Sequence, residues 1–245
     1  MLARAGCVAS DEEAAELIEA ANGDGDLLAR FVKRRMSGEP SAWIIGRVRF
    51  CGHTVKVGPG VYVPRWQTEP LAERAAALLP EGGVAVDVCT GSGAIAVVLR
   101  ERRPSAHVVA TDGDLSAVEC SRANGIETYL GDLLACVPRE LQGEVDLLVG
   151  VVPYVPSEAL HLLARDVLAF EPSGALDGGP RGTAQLIRTV SQSVGWLRPG
   201  GALLLELGGD QGEELKCRCE ELGFVDVSVV RDDDGDVRSI EAHRP

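Results

Sequence analysis

The chain reads as an α/β protein. It is expected to build a seven-stranded, mostly parallel sheet with a terminal antiparallel strand, preceded by a small N-terminal helical segment and a β-hairpin. Three observations carry this. First, Val84-Ala-Val-Asp-Val-Cys-Thr-Gly-Ser-Gly-Ala94 is an apolar strand run closing on an acid, then a glycine-rich turn, then a helix-forming run to Arg100. Second, short apolar runs recur at 107–112, 127–132, 145–152 and 201–207, separated by helical patterns, which is the alternation of a parallel sheet. Third, Val225 to Val230 and Val237 to Glu241 flank the acidic turn Asp232-Asp-Asp-Gly-Asp236, a hairpin that brings one antiparallel strand into the sheet.

Taken in order, residues 1–45 form the helical segment, with helices over Asp11 to Ala21 and Leu27 to Met36 parted by the breaker Asn22-Gly-Asp-Gly-Asp26. Residues 46–68 form the hairpin and its linker. Arg47 to Val57 alternates and turns at Cys51-Gly52, and Gly58-Pro59-Gly60 leads into Val61-Tyr-Val-Pro-Arg65. Residues 69–245 form the α/β domain. It opens on a helix from Glu69 to Leu79, continues through four strand–helix steps, and adds a helix near 183–197, the turn Arg198-Pro-Gly-Gly201 and a helix from Gln211 to Leu222 stopped by Gly223.

Composition narrows the function classes. With 45% hydrophobic residues the chain has ample material for a core. A net charge of −13 argues against broad nucleic-acid binding, since phosphate contacts need Lys and Arg. The basic run Arg30-Phe-Val-Lys-Arg-Arg35 reads as a solvated helix face. No apolar run is long enough to span a bilayer, and Met1 to Cys7 runs into Asp11-Glu12-Glu13 without the pattern of a signal peptide. The seven cysteines are scattered, and Cys217 and Cys219 lie on different faces of a helix, so no metal site is expected. Reduced cysteines imply a cytoplasmic protein.

The glycine-rich turn is not the dinucleotide fingerprint G-x-G-x-x-G; its order is Asp87-x-x-x-Gly91-x-Gly93. Without a Cβ, Gly91 and Gly93 let the backbone turn sharply against a ligand, and the helix starting near Ser92 offers unpaired N–H groups. An acid four residues before the first glycine suits a ligand carrying an amino group, as S-adenosylmethionine (SAM) does. Cys89, Thr90, Gly91, Ser92 and Gly93 would then cradle its methionine end. Asp112 closes the next strand at the distance where an acid reaches a ribose, and its carboxylate can accept from both hydroxyls; the alternative is a solvated loop acid beside Asp114. Asp132 closes the third strand and would lie near the adenine edge with Leu133 on the ring, unless this is only a loop.

From about Gly46 onward the chain resembles the protein-(glutamine-N5) methyltransferases of the PrmC/HemK group, Rossmann-like class I SAM methyltransferases. Pro64-Arg-Trp-Gln-Thr-Glu69 is similar to the family's Pro-Arg-Pro-(Asp/Glu)-Thr-Glu, and Asp87-Val-Cys-Thr-Gly-Ser-Gly93 to its Asp-Leu-Gly-Thr-Gly-Ser-Gly. Gly131-Asp132 and Glu171-Pro-Ser-Gly-Ala-Leu-Asp-Gly-Gly179 have counterparts as well. The resemblance implies the fold, SAM as cofactor and methyl transfer. Cys89 replaces the family's first turn glycine, a change expected to matter little because cysteine is small and the sharpest turn falls to Gly91 and Gly93.

The acceptor motif departs. Where the family has Asn-Pro-Pro-Tyr, this chain has Val151-Val152-Pro153-Tyr154. The resemblance implies that the asparagine carboxamide and the next backbone carbonyl hold the target amide. Val151 keeps only its backbone, and a positioned hydrogen bond is typically worth about 10²–10³ in rate. The segment before the hairpin has room for only two short helices where the family carries a helical domain that grips its protein substrate. Both departures point to a small-molecule acceptor held by the loop Val151 to Tyr154 with Trp66 and Glu171. The alternatives are a release factor or other polypeptide, or a SAM-binding protein without transfer. Tyr154 reads as a substrate-facing ring or a core aromatic. Arg65 reads as a carboxylate clamp or a surface ion pair, and Glu171 as an acceptor-orienting group or an arginine partner. Trp66 could stack on the substrate, and His161 could act as a base on a lid.

Overall fold

The computed structural model describes residues 10–245; Met1 to Cys7, read above for a signal peptide, lies outside them. The chain enters through α1 (Ser10–Ala21), α2 (Gly25–Met36) and α3 (Ser41–Ile45). Asp24 caps α2, its carboxylate accepting from Leu27 N at 2.9 Å. The third helix was not anticipated, because five residues are too short to show a helical period. It stops at Gly46, whose φ of 82° is the left-handed conformation that glycine adopts freely. Leu17 and Ile44 bury a small cluster with Leu28 and Phe31. The basic run on α2 is not wholly solvated. Arg35 is 6% exposed and ion-paired to Glu13 and Asp166, a neutralisation that its burial requires.

β1 (Arg47–Phe50) and β2 (His53–Lys56) pair with Phe50 opposite His53. Cys51 and Gly52 both have positive φ, 46° and 77°, the twist that a two-residue hairpin demands. Phe50 and Val55 turn inward against α4 (Glu69–Leu78) and α5 (Ala94–Arg102).

The main sheet runs β5-β4-β3-β6-β7-β9-β8, comprising β3 (Val84–Val88), β4 (His107–Asp112), β5 (Glu127–Leu130), β6 (Val145–Gly150), β7 (Leu197–Glu206), β8 (Val225–Arg231) and β9 (Val237–His243). Strands β3 to β7 are mutually parallel, and the last strand of the chain, β9, inserts antiparallel between β7 and β8. Alternate strand residues serve opposite faces. Val86, Val88, Leu203 and Leu205 face α8 (Ala184–Ser193) and α9 (Gln211–Glu221), while Ala85, Leu147, Val149 and Leu204 face α4 and α5. Helix α8 ends at Ser193, short of the expected 197. The Trp196 carbonyl accepts from Gly143 N and Val145 N at 3.0 and 3.2 Å, which draws the chain into the sheet.

Two neighbours of β3 lead in opposite directions, to β4 on one side and β6 on the other. The connections after β3 and β6 therefore part company, leaving a crevice at their carboxyl ends. α6 (Leu115–Ala123) follows β4, and α7 (Arg165–Phe170) lies on the excursion between β6 and β7.

Candidate active site

A cavity of about 570 Å³ fills that crevice, and its walls include Asp87, Cys89 to Ser92, Asp112, Asp132, Leu133, Val151 and Pro153. The turn after β3 is built of three left-handed residues, Cys89 (φ 55°), Gly91 (56°) and Gly93 (82°). A Cβ on Gly91 would meet no atom within 4 Å, so that backbone is open, whereas a Cβ on Gly93 would fall 2.6 Å from Ser121 Oγ on α6. Gly93 thus packs helix on helix and does not line the cavity. Cys89 is itself in the strained conformation, so its exchange for glycine matters more than its size suggested.

Asp87 is 1% exposed. Its Oδ2 accepts from Thr90 Oγ1 at 2.6 Å and from Ala96 N at 3.3 Å, serving the open N-terminus of α5. Its Oδ1 is buried without a hydrogen-bond partner. Burial pushes the carboxyl up to about 7 against the pull of the two hydrogen bonds, and Asp112 adds to the rise. An unsatisfied acidic oxygen on a cavity wall calls for a cationic donor, and an ammonium supplies one. Asp112 is set by its neighbours, Gly91 N donating to Oδ2 and Asp114 N to Oδ1, each at 2.9 Å. Burial raises its carboxyl too, opposed by these backbone N–H groups. Both oxygens keep lone pairs for a diol. Leu133 is buried with a φ of 50°, and Asp132 is ion-paired to Arg188 of α8. Cavity size, the unpartnered Asp87 Oδ1 and the placement of the Asp112 carboxylate all fit SAM.

The other side of the cavity includes the loop after β6. A Cβ on Gly150 would overlap the Val88 carbonyl, so only glycine lets β3 and β6 approach this closely. Val151 and Pro153 reach the cavity; the Val152 side chain is fully buried in the core. The loop is clasped from behind by the segment from Leu176 to Gly182. Val155 N donates to Leu176 O and Gly178 N to Val155 O, both at 2.9 Å, and a Cβ on Gly178 would lie 2.7 Å from the Pro153 carbonyl oxygen. Tyr154 turns from the main cavity. Its hydroxyl donates to Glu206 Oε1 at 3.0 Å, its ring lies against Gly208, and it lines a smaller cavity of about 210 Å³ with Tyr62, Arg65, Gln67 and Arg238.

Arg65 lines both cavities and is ion-paired to Glu171, 7% exposed, whose other oxygen accepts from Val63 N at 3.2 Å. Glu171 is thus a clasp on the extended 62–65 segment. Trp66, 73% exposed, and the exposed His161 do not line either cavity. Among the residues on these walls that escaped the sequence reading are Glu206, Thr68 and Tyr62. Glu206 was findable as the one acid ending the apolar run Leu203-Leu-Leu-Glu206, and it accepts from Thr68 Oγ1 at 2.6 Å as well as from Tyr154. Thr68 stands in the Pro64 to Glu69 motif, whereas nothing local marks Tyr62.

Residues 67–141 match the family described as Methyltransferase small domain. A release factor glutamine methyltransferase of Mycolicibacterium smegmatis is 36% identical over 231 residues, covering 90% of this chain and 82% of the relative. Another, from Bordetella pertussis, is 39% identical over 208 residues, covering 81% and 76%. The chain belongs to the release factor glutamine methyltransferase family. Among solved structures, a ribosomal protein L11 methylase from Lactobacillus delbrueckii subsp. bulgaricus superposes with a TM-score of 0.54 at 19% identity over 78% of this chain and 84% of that one, a likeness of fold. This family member is a SAM-dependent methyltransferase. The expectation of a small-molecule acceptor is overturned by these relatives, which by name act on a glutamine of a release factor. That expectation rested on the missing asparagine side chain and on the short segment before the hairpin; the 151–154 loop nonetheless keeps its backbone, held by the 176–182 clasp.

Proposed function

We propose that this chain methylates the side-chain amide nitrogen of a glutamine on a release factor. The observation that carries the reading is a single cavity running from Asp87 and Asp112 to the Val151–Pro153 loop, in a chain 36% identical to such an enzyme over nearly its whole length. Asp112 would hold the ribose diol, Asp87 Oδ1 the ammonium, Gly91 the open backbone and Leu133 the base. When bound, SAM supplies a sulfonium-activated methyl group: the N–CH₃ bond forms as the S–CH₃ bond breaks, that electron pair stays on sulfur, and the surplus amide proton leaves to water.

The protein's part is positioning. Holding nucleophile and methyl in line supplies much of the barrier reduction open to such a transfer. Backbone carbonyls of the 151–153 loop would accept the amide hydrogens, which turns the nitrogen toward the methyl. Val151 would pack on the aliphatic part of the glutamine side chain and exclude water. Glu171 and Arg65 would hold the 62–65 segment in place beside that loop. Among the described residues no helix is long and apolar enough to cross a membrane. We place the protein in the cytoplasm, a reading supported by six unpaired cysteines among those residues.

The test is incubation of the purified chain with release factor and labelled SAM, followed by peptide mapping. A single methyl on a glutamine is expected. Label confined to another residue type, or no label while SAM binds, rejects the reading.

A further inference from the structure

Position 151 carries no side-chain amide, and the loop carbonyls only accept, so the carbonyl oxygen of the glutamine side chain is left to a donor elsewhere on the cavity wall. Tyr62 lines both the main cavity and the smaller one and therefore stands on the wall between them. It is held firmly. The next residue, Val63, donates its N–H to Glu171 Oε2 at 3.2 Å, Pro64 stiffens the chain, and the Arg65 guanidinium carbon lies 4.8 Å from the Tyr62 ring centroid. Two nearby hydroxyls are already committed, since Thr68 and Tyr154 both donate to Glu206. The guanidinium has donors only, so toward the Tyr62 oxygen it can do nothing but donate, and the phenolic proton stays available for another acceptor. Burial raises the Tyr62 phenol, so it keeps that proton at neutral pH.

We propose that the Tyr62 hydroxyl donates to the carbonyl oxygen of the acceptor glutamine's side chain, anchoring the amide in place of the asparagine that Val151 replaces. The assignment rests on the acceptor reading above. An amide held at its oxygen by Tyr62 and at its N–H groups by loop carbonyls has one orientation, with the nitrogen facing the methyl. A phenol, unlike a carboxylate, fixes the amide without adding charge beside Glu171 and Glu206.

The experiment compares wild type, Tyr62→Phe and the double variant Tyr62→Phe/Val151→Asn, with intact release factor as acceptor and SAM affinity measured by calorimetry. Removing the hydroxyl alone keeps the ring and its packing. A loss of about 5- to 100-fold in kcat/KM for release factor is expected, the cost of leaving one buried acceptor unpaired, with SAM affinity unchanged. The asparagine is expected to restore most of it in the double variant, which a merely structural role for Tyr62 would not produce. Equal kcat/KM for wild type and Tyr62→Phe overturns the assignment and leaves the acceptor reading standing, and so does a loss that Val151→Asn does not repair. Absence of glutamine methylation by wild type overturns the acceptor reading itself, and the assignment with it.

Discussion

SAM affinity is expected to depend on pH through Asp87. The carboxyl is raised from 3.8 to about 7, chiefly by burial. Its folded value lies above its unfolded one, so folding favours the protonated form. The stability this contributes is fully present below about pH 4 and is lost as pH rises through about 7. At about 1.36 kcal/mol per unit, ionising Asp87 in the free protein costs about 4 kcal/mol. A cofactor ammonium beside the unpartnered Oδ1 favours the ionised form, so binding must first draw off the proton at low pH. If only the ionised form binds, Kd weakens about 25-fold between about pH 7.5 and about pH 5.5. Calorimetry at several pH values measures this directly. Asp87→Asn keeps an oxygen for Thr90 and Ala96 but cannot ionise; its Kd is expected to be weaker at neutral pH and flat across the range. The same variant is expected to raise the stability of the free protein at about pH 8 by about 1–4 kcal/mol, because a buried charge is gone. A flat profile in wild type, or an identical slope in Asp87→Asn, would refute the assignment of the ammonium to Asp87.

Cys89→Gly is expected to stabilise the protein by about 0.5–1 kcal/mol in urea unfolding, since relief of the left-handed strain at φ 55° outweighs the added freedom of the unfolded chain; a loss above about 1 kcal/mol contradicts this. Gly178→Ala places a Cβ within 2.7 Å of the carbonyl oxygens of Gly182 and Pro153, which are backbone atoms and cannot swing aside. Turnover is expected to fall at least about tenfold, through misplacement of the acceptor loop, while SAM Kd stays unchanged; loss of SAM binding instead would show that the clasp supports the donor side.

Local sequence was enough for the α/β pattern, the Cys51–Gly52 hairpin and the cofactor family, because each rests on short-range rules. Alternation and turn glycines declare strands and bends, and an acid closing an apolar strand stands out. The acceptor side obeys no such rule. Val151 and the short segment before the hairpin suggested the wrong class of acceptor, since the residues gathered around the Val151 loop come from far apart in the chain: Tyr62 and Thr68 before the sheet, Gly178 and Gly182 packed on the loop, and Glu206 at the end of β7. Side-chain direction was equally out of reach. Val152 and Tyr154 follow Val151 directly, yet one is fully buried and the other turns to Glu206, because packing against the core and a buried carboxylate decided their orientation. The residue types at the site can be read along the chain. Which of them share a wall depends on where the connections after β3 and β6 diverge, and only the folded sheet supplies that.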